Sequence, residues 1–230
     1  MAGTGAARPP SLHSGPMSTL SGLYAITSAS LCADESRLIA GATAALEGGA
    51  RLLQYRDKGA APARRERLAL QLRGLCARHG CRFIVNDDVE LAIAIEADGV
   101  HLGRGDGSVR RARERLGERA IIGVSCSGSI ERAVEAQAEG ASYVAFGRFY
   151  PSSTKPDAPP AQIETLRQVR GLIGLPVCAI GGITADNAAP LIEAGADMIA
   201  AVEGIFGAAD IRAEAARYAA LFHRPFSAVP

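Results

Sequence analysis

The segment "RLLQYRDKG", residues 51–59, carries the densest chemistry in this chain. An apolar pair, Leu52-Leu53, leads into Gln54, Arg56 and Lys58, each two residues from the next. In an extended strand, residues two apart point to the same side. One amide and two cations therefore line up at a strand end, just before Gly59. Two cations on one face are costly unless an anion sits there. A substrate with several negative charges, such as a diphosphate, is the most economical anion.

Other polar groups follow further apolar runs. Asn86-Asp87-Asp88 comes after "RFIV" and reads in two ways. Asn and Asp are favoured helix caps, and Asp88 is the best cap candidate, which leaves Asn86 and Asp87 free. Asp106 stands in a glycine-rich loop, where it could be an ordinary turn residue. Taken together, Asp87 and Asp106 form a hard oxygen pair that suits Mg²⁺, with water and phosphate oxygens completing its shell. Ser152, Ser153 and Thr154 precede Lys155, and hydroxyls beside a cation resemble an anion cradle more than a plain polar loop. Gly181-Gly182 is either a tight turn or a source of bare N–H groups for a phosphate. His101 lies inside a strand-like run and reads as a satisfied core histidine. Cys126 follows Ser125 but has no apparent base beside it. His79 ends a helix, and the stretch 110–119 reads as a solvated helix face.

The elements that must position these groups are short and regular. Apolar runs occur at 23–27, 51–55, 82–85, 99–102, 120–125, 143–147, 176–180 and 198–202. They are apolar on both faces, as buried parallel strands are. Helical spacing fills the gaps, for example at 37–47, 63–78, 89–96, 130–139 and 187–193. Gly48, Gly140 and Gly195 stand where helices should stop in a left-handed conformation. This alternation predicts an α/β chain, a single-domain (β/α)8 TIM barrel over residues 20–224, with a doubly wound sheet as the alternative. The barrel demands functional residues at the C-terminal strand ends. The candidates stand there: Gln54, Arg56 and Lys58 after strand two, Asn86 and Asp87 after strand three, Ser125 after strand five, and Val202-Glu203 after strand eight.

Bulk properties narrow the function classes. With 230 residues, 48% apolar and 21% charged, the chain can bury a normal core. A net charge of +1 gives no basic field for nucleic acid, and the absence of Trp disfavours base stacking. No apolar run reaches membrane-span length. Five scattered Cys, with no C-x-x-C pair, fit a reduced cytoplasmic protein. Residues 1–19 are expected to be a disordered tail, because the Gly/Pro/Ala/Ser-rich start lacks a signal-peptide core, and 225–230 to be a C-terminal tail. A homo-oligomer is compatible with the sequence.

In order along the chain, "QYRDKG", "VNDDVELA", "DGVHLG-x-x-D", "GVS", "YPSSTKPD" and "AIGGI" resemble the thiamine phosphate synthase family. The resemblance spans about residues 23–222. It implies a (β/α)8 transferase that joins hydroxymethylpyrimidine diphosphate to thiazole phosphate, forming thiamine phosphate and releasing pyrophosphate. It further implies that Gln54, Arg56, Lys58, Asn86, Ser125 and Lys155 hold the pyrimidine diphosphate, with Arg56, Lys58 and Lys155 catalytic. Asp87 and Asp106 would ligate Mg²⁺. Ser152, Ser153, Thr154, Gly182, Val202 and Glu203 would meet the thiazole phosphate. Two positions depart from the family pattern. Arg104 stands where Gln is common, and Glu203 where Ser is common. A carboxylate ~5 Å from a phosphate charge costs about 3 kcal/mol at an effective dielectric near 20. Glu203 is therefore expected to offer its backbone N–H and turn its side chain away.

Three rival readings fit less well. A thiazole tautomerase on a similar barrel needs neither a diphosphate site nor a metal pair. A sugar-phosphate isomerase or epimerase needs a poised acid/base pair at the rim. A non-catalytic phosphometabolite-binding barrel gives no reason for a complete metal and diphosphate set.

Overall fold

The computed structural model describes residues 20–152 and 159–223. Both expected tails, 1–19 and 225–230, lie outside the described residues. Eight strands form one closed, fully parallel barrel in sequence order. They are β1 (Gly22–Ile26), β2 (Leu52–Tyr55), β3 (Arg82–Asn86), β4 (Gly99–Leu102), β5 (Ile121–Ser127), β6 (Tyr143–Phe146), β7 (Val177–Ile180) and β8 (Met198–Ala201). β1 pairs with both β2 and β8, so the sheet has no free edge. The doubly wound alternative is excluded.

The helices between the strands are α1 (Ala29–Cys32), α2 (Glu35–Glu47), α3 (Pro62–Arg78), α4 (Val89–Ala94) and α5 (Val109–Leu116). They continue as α6 (Ile130–Ala138), α7 (Ile163–Arg170), α8 (Ala189–Glu193), α9 (Glu203–Phe206) and α10 (Ile211–Leu221). The short α1 and α9 are additions to the expected eight, and both follow directly from strand ends. Several helices start as local chemistry dictates. Asp34, Asp88, Ser108, Ser129 and Asp210 each accept a hydrogen bond from a backbone N–H three residues on.

Two apolar layers hold the fold. The larger lies between barrel and helices and includes Leu53, Phe83, Val100, Leu72 and Leu191. The smaller fills the barrel and includes Tyr24, Leu52, Ile84, Ile121, Tyr143 and Met198. Successive strand residues alternate between these layers, which is why the strands read as apolar on both faces.

Three local expectations change. Gly48 is not the left-handed residue after α2: its φ is −76°, and Gly49 takes the positive φ of 101°. Gly48 is required instead because a Cβ there would press on Ala215 and the Arg212 carbonyl of α10. The stretch 110–119 is not a uniformly solvated face. Arg113 donates to the carbonyls of Gly117, Ala120 and Gly140 and to Ser142 Oγ, stitching together the loops that enter β5 and β6. Finally, β5 runs on to Ser127 through a register shift between Ser125 and Ser127.

Gly123, in mid-β5, lets the fully buried Tyr143 ring cross the barrel, because a Cβ at that position would overlap the phenol. Overpacking of this kind costs about 1–3 kcal/mol. Gly123→Ala is expected to lower the unfolding free energy by that amount, read from the denaturant midpoint. Gly128→Ala, whose Cβ meets nothing within 4 Å, should stay within about 0.5 kcal/mol of the parent. Equal stabilities for the two variants would contradict this packing.

Candidate active site

The C-terminal strand ends surround a cavity of about 650 Å³. Its walls follow from the inward parity of the strands. On β2, β3 and β5 the residues of that parity are apolar low in the barrel and more polar towards the rim, as in Leu52 then Gln54, Ile84 then Asn86, and Ile121 then Ser125.

Gln54, Arg56 and Lys58 all line the cavity, although β2 itself ends at Tyr55. The alternation persists because both sides are tied down. Thr27 Oγ1 accepts from the Arg56 N–H at 2.8 Å and donates to the Arg56 carbonyl at 3.2 Å. Asp57 faces the other way, where it accepts from Tyr55 Oη and the Gly59 N–H and pairs with Arg64.

Asn86, Asp87 and Asp106 form the adjoining wall. Asp88 is occupied as the N-cap of α4 and by an ion pair to Arg65 at 2.6 Å. Asp87 sits at φ 64°, a left-handed conformation that Asp tolerates better than most residues. Its backbone N–H donates to the His101 carbonyl. Asp106 folds back so that Oδ2 accepts from the Gly103 N–H at 2.7 Å. Burial, first, and the neighbouring Asp106 carboxyl, second, push the Asp87 carboxyl above its ordinary range, while Lys58 and Asn86 oppose the shift. Lys58 Nζ lies 3.7 Å from Asp87 Oδ2, an exposed contact worth little by itself. Two carboxylates in contact call for a shared proton or a cation between them. Among the described residues no group of three or more His, Cys, Asp or Glu could hold a metal. Asp87 and Asp106 are two hard oxygen donors, a pair that would fit a hard ion sharing its remaining positions with water and phosphate.

Ser125, Ser152, Gly182, Val202 and Glu203 also line the cavity, as does Arg104. Ser153, Thr154 and Lys155 lie outside the described residues. The Glu203 carboxylate lies beside Gly207, at the far end of α9, so the side chain runs down the helix flank.

The sequence reading missed several lining residues, among them Tyr24, Ser127, Arg148 and Thr184. His101 is indeed satisfied, yet it faces the cavity rather than the outer core. Its Nδ1 lies 2.8 Å from Tyr143 Oη and its Nε2 2.9 Å from Ser125 Oγ. Tyr143 Oη is 2.9 Å from Tyr24 Oη, which accepts from Gln54 Nε2 at 2.6 Å. The cue available in sequence was parity: His101 stands two residues after Gly99 and pairs in register with Gly123.

A closed parallel barrel that gathers cations, hydroxyls and a carboxylate pair at its C-terminal rim defines a phosphate-handling (β/α)8 protein. Comparison with known proteins makes the assignment specific. The chain belongs to the thiamine monophosphate synthase family, whose model matches residues 23–205. It is 55% identical over 203 residues to the thiamine-phosphate synthase of Thioalkalivibrio sulfidiphilus, covering 88% of this chain and 96% of that one. It is 51% identical over 204 residues to the thiamine-phosphate synthase of Methylococcus capsulatus, covering 89% and 90%. Thiamine phosphate pyrophosphorylase from Pyrococcus furiosus superposes with a TM-score of 0.79 at 35% identity, covering 87% of this chain and 95% of that one.

The raised Asp87 carboxyl gives a pH prediction for the metal-free protein. A carboxyl whose folded pKa exceeds its unfolded one favours folding when protonated. That contribution is complete below the unfolded value and is lost as pH rises through the folded value. Asn suits the same left-handed backbone and carries no charge. Asp87→Asn should therefore raise the denaturant midpoint at pH 7, and the gap should close on acidification to pH 3. A variant less stable than the parent at pH 7 would contradict a cost of charging Asp87 in this buried, acidic setting.

Proposed function

We propose that this chain is a thiamine-phosphate synthase that transfers the hydroxymethylpyrimidine group from its diphosphate to thiazole phosphate, using Mg²⁺. The observation that carries the reading is the joint presence of Arg56 and Lys58 with the Asp87–Asp106 pair on one cavity wall. A tautomerase would need neither. The family membership and the names of the relatives support the same activity.

In this reading Arg56 and Lys58 hold the diphosphate and stabilise the charge that grows on it as the C–O bond breaks. Lys155 joins them on sequence grounds. Asp87 and Asp106 would hold the metal, which when bound supplies further neutralisation of the departing phosphates. Gln54 and Asn86 orient the pyrimidine, and Ser125 donates to a phosphate oxygen. The methylene carbon left behind is attached to an electron-rich aminopyrimidine that delocalises positive charge. The thiazole nitrogen attacks that carbon, so no protein nucleophile is required. Ser152, Gly182 and the backbone at Val202-Glu203 receive the thiazole phosphate, with Ser153 and Thr154 assigned there by sequence. Turning the Glu203 carboxylate down α9 removes a like charge from that phosphate. The barrel's task is positioning two substrates and excluding water from a cationic carbon. A reducing, cytoplasmic setting accompanies this reading, and five free, buried thiols support it.

The test is to mix the protein with both substrates and Mg²⁺ and follow thiamine phosphate, omitting each component in turn. Product should require all of them; chelation should abolish it and added Mg²⁺ restore it. Lys58→Ala should lower kcat by about 10²–10³-fold with the fold intact by circular dichroism. Near-parental turnover would remove Lys58 from the chemistry, and turnover without metal would remove the role given to Asp87 and Asp106.

A further inference from the structure

A continuous chain of polar side chains crosses the barrel at the floor of the cavity. It runs from Gln54 to Tyr24, Tyr143, His101 and Ser125, drawing on five strands, and each link lies between 2.6 and 2.9 Å. Tyr24 and Tyr143 are almost fully buried. Burial also pushes both phenols well above their ordinary range, so each keeps its proton.

The direction of the chain follows from proton counting. Gln54 Nε2 can only donate, so Tyr24 Oη accepts from it. The Tyr24 proton then has Tyr143 Oη as its partner. If Tyr143 donated to Tyr24 instead, Tyr24 would accept twice and its own proton would be orphaned in the interior, which is the costly arrangement. Tyr143 therefore donates onward to His101 Nδ1. An Nδ1 that accepts leaves the neutral imidazole with its proton on Nε2, facing Ser125 Oγ. Ser125 accepts that proton, so its own hydroxyl proton is free for the cavity.

We infer that His101 is a positioning residue, held as its Nε2–H tautomer by Gln54 through Tyr24 and Tyr143, so that Ser125 presents its hydroxyl as a donor to the leaving diphosphate. This rests on the reading of the cavity as the diphosphate site. The same five side chains in the reverse direction would turn the Ser125 proton inward and offer a lone pair to an anion. The chain thus decides whether Ser125 attracts or repels the phosphate, a role that no residue of it fills alone.

The direct test is ¹⁵N NMR of protein labelled at histidine, without ligand, at pH 8. The chain has four His, so the His101 signals are assigned as those missing in His101→Ala. The expected result is a protonated Nε2 and an unprotonated Nδ1. A proton on Nδ1 in the parent overturns the inference. Tyr143→Phe keeps the ring and removes both links, and should replace the single tautomer by a mixture. A spectrum unchanged by that variant also overturns it. Kinetically, His101→Ala should lower kcat/KM for the pyrimidine diphosphate about tenfold or more while KM for thiazole phosphate stays constant. His101→Gln, which restores an N–H donor near the Nε2 position, should recover most of the loss. Equal losses in the two variants would reduce His101 to a packing role. If the parent made no thiamine phosphate, the function reading would fall, yet the tautomer would still decide the direction of the chain.

Discussion

Two carboxyl groups held against each other at the barrel rim set the terms for the rest of the site. Asp87 and Asp106 come from separate loops, after β3 and after β4, and neither is arranged to relieve the other. One is held in a left-handed backbone conformation by a bond to the His101 carbonyl; the other is pinned to the Gly103 N–H. Burial, first, and the Asp106 carboxyl, second, raise the Asp87 carboxyl, and Lys58 opposes the shift without cancelling it. Such an arrangement lowers the stability of the empty protein and makes sense when a cation and an anion arrive together. The neighbouring Arg56 and Lys58 have the mirror-image problem, two cations in need of negative charge. On the proposed reading, a metal and a diphosphate at the same wall would meet both needs.

The barrel makes this economical. In a closed parallel sheet every strand delivers its C-terminal end to one rim, so a single parity rule decides what faces the cavity. The chain's net charge of +1 is uninformative about its ligand, because the local field comes from placement. Cations from the loop after β2 stand opposite hydroxyls from β5 and glycines after β7. The Glu203 side chain lies along α9, with a carboxylate oxygen beside Gly207.

Much of this was legible in the sequence because it depends on local spacing. The spacing of Gln54, Arg56 and Lys58, the capping chemistry of Asp88 and the apolar runs of all eight strands are short-range signals. What sequence did not carry depends on contacts across the barrel. His101 reads as a core residue until strand stagger places its ring 5.6 Å from Tyr143 and its Nε2 on Ser125. Tyr24 and Tyr143 read as plain core aromatics, and only the missing side chain at Gly123 lets their hydroxyls meet. Ser127 reaches the cavity through an irregularity in β5, and the exchange of roles between Gly48 and Gly49 reflects how closely α2 and α10 approach. Each of these is set by three-dimensional proximity, on which a one-dimensional pattern is silent.

On the proposed reading Asp87 and Asp106 would hold a divalent cation beside a diphosphate held by Arg56 and Lys58. The most direct measurement is a crystal structure with Mn²⁺ in place of Mg²⁺ and inorganic pyrophosphate, with the metal located by its anomalous scattering. The expected result is an anomalous peak within about 2.3 Å of an oxygen from each of the two carboxylates, with pyrophosphate oxygens nearby. A peak elsewhere, or pyrophosphate bound in the cavity with no metal on this pair, would contradict it.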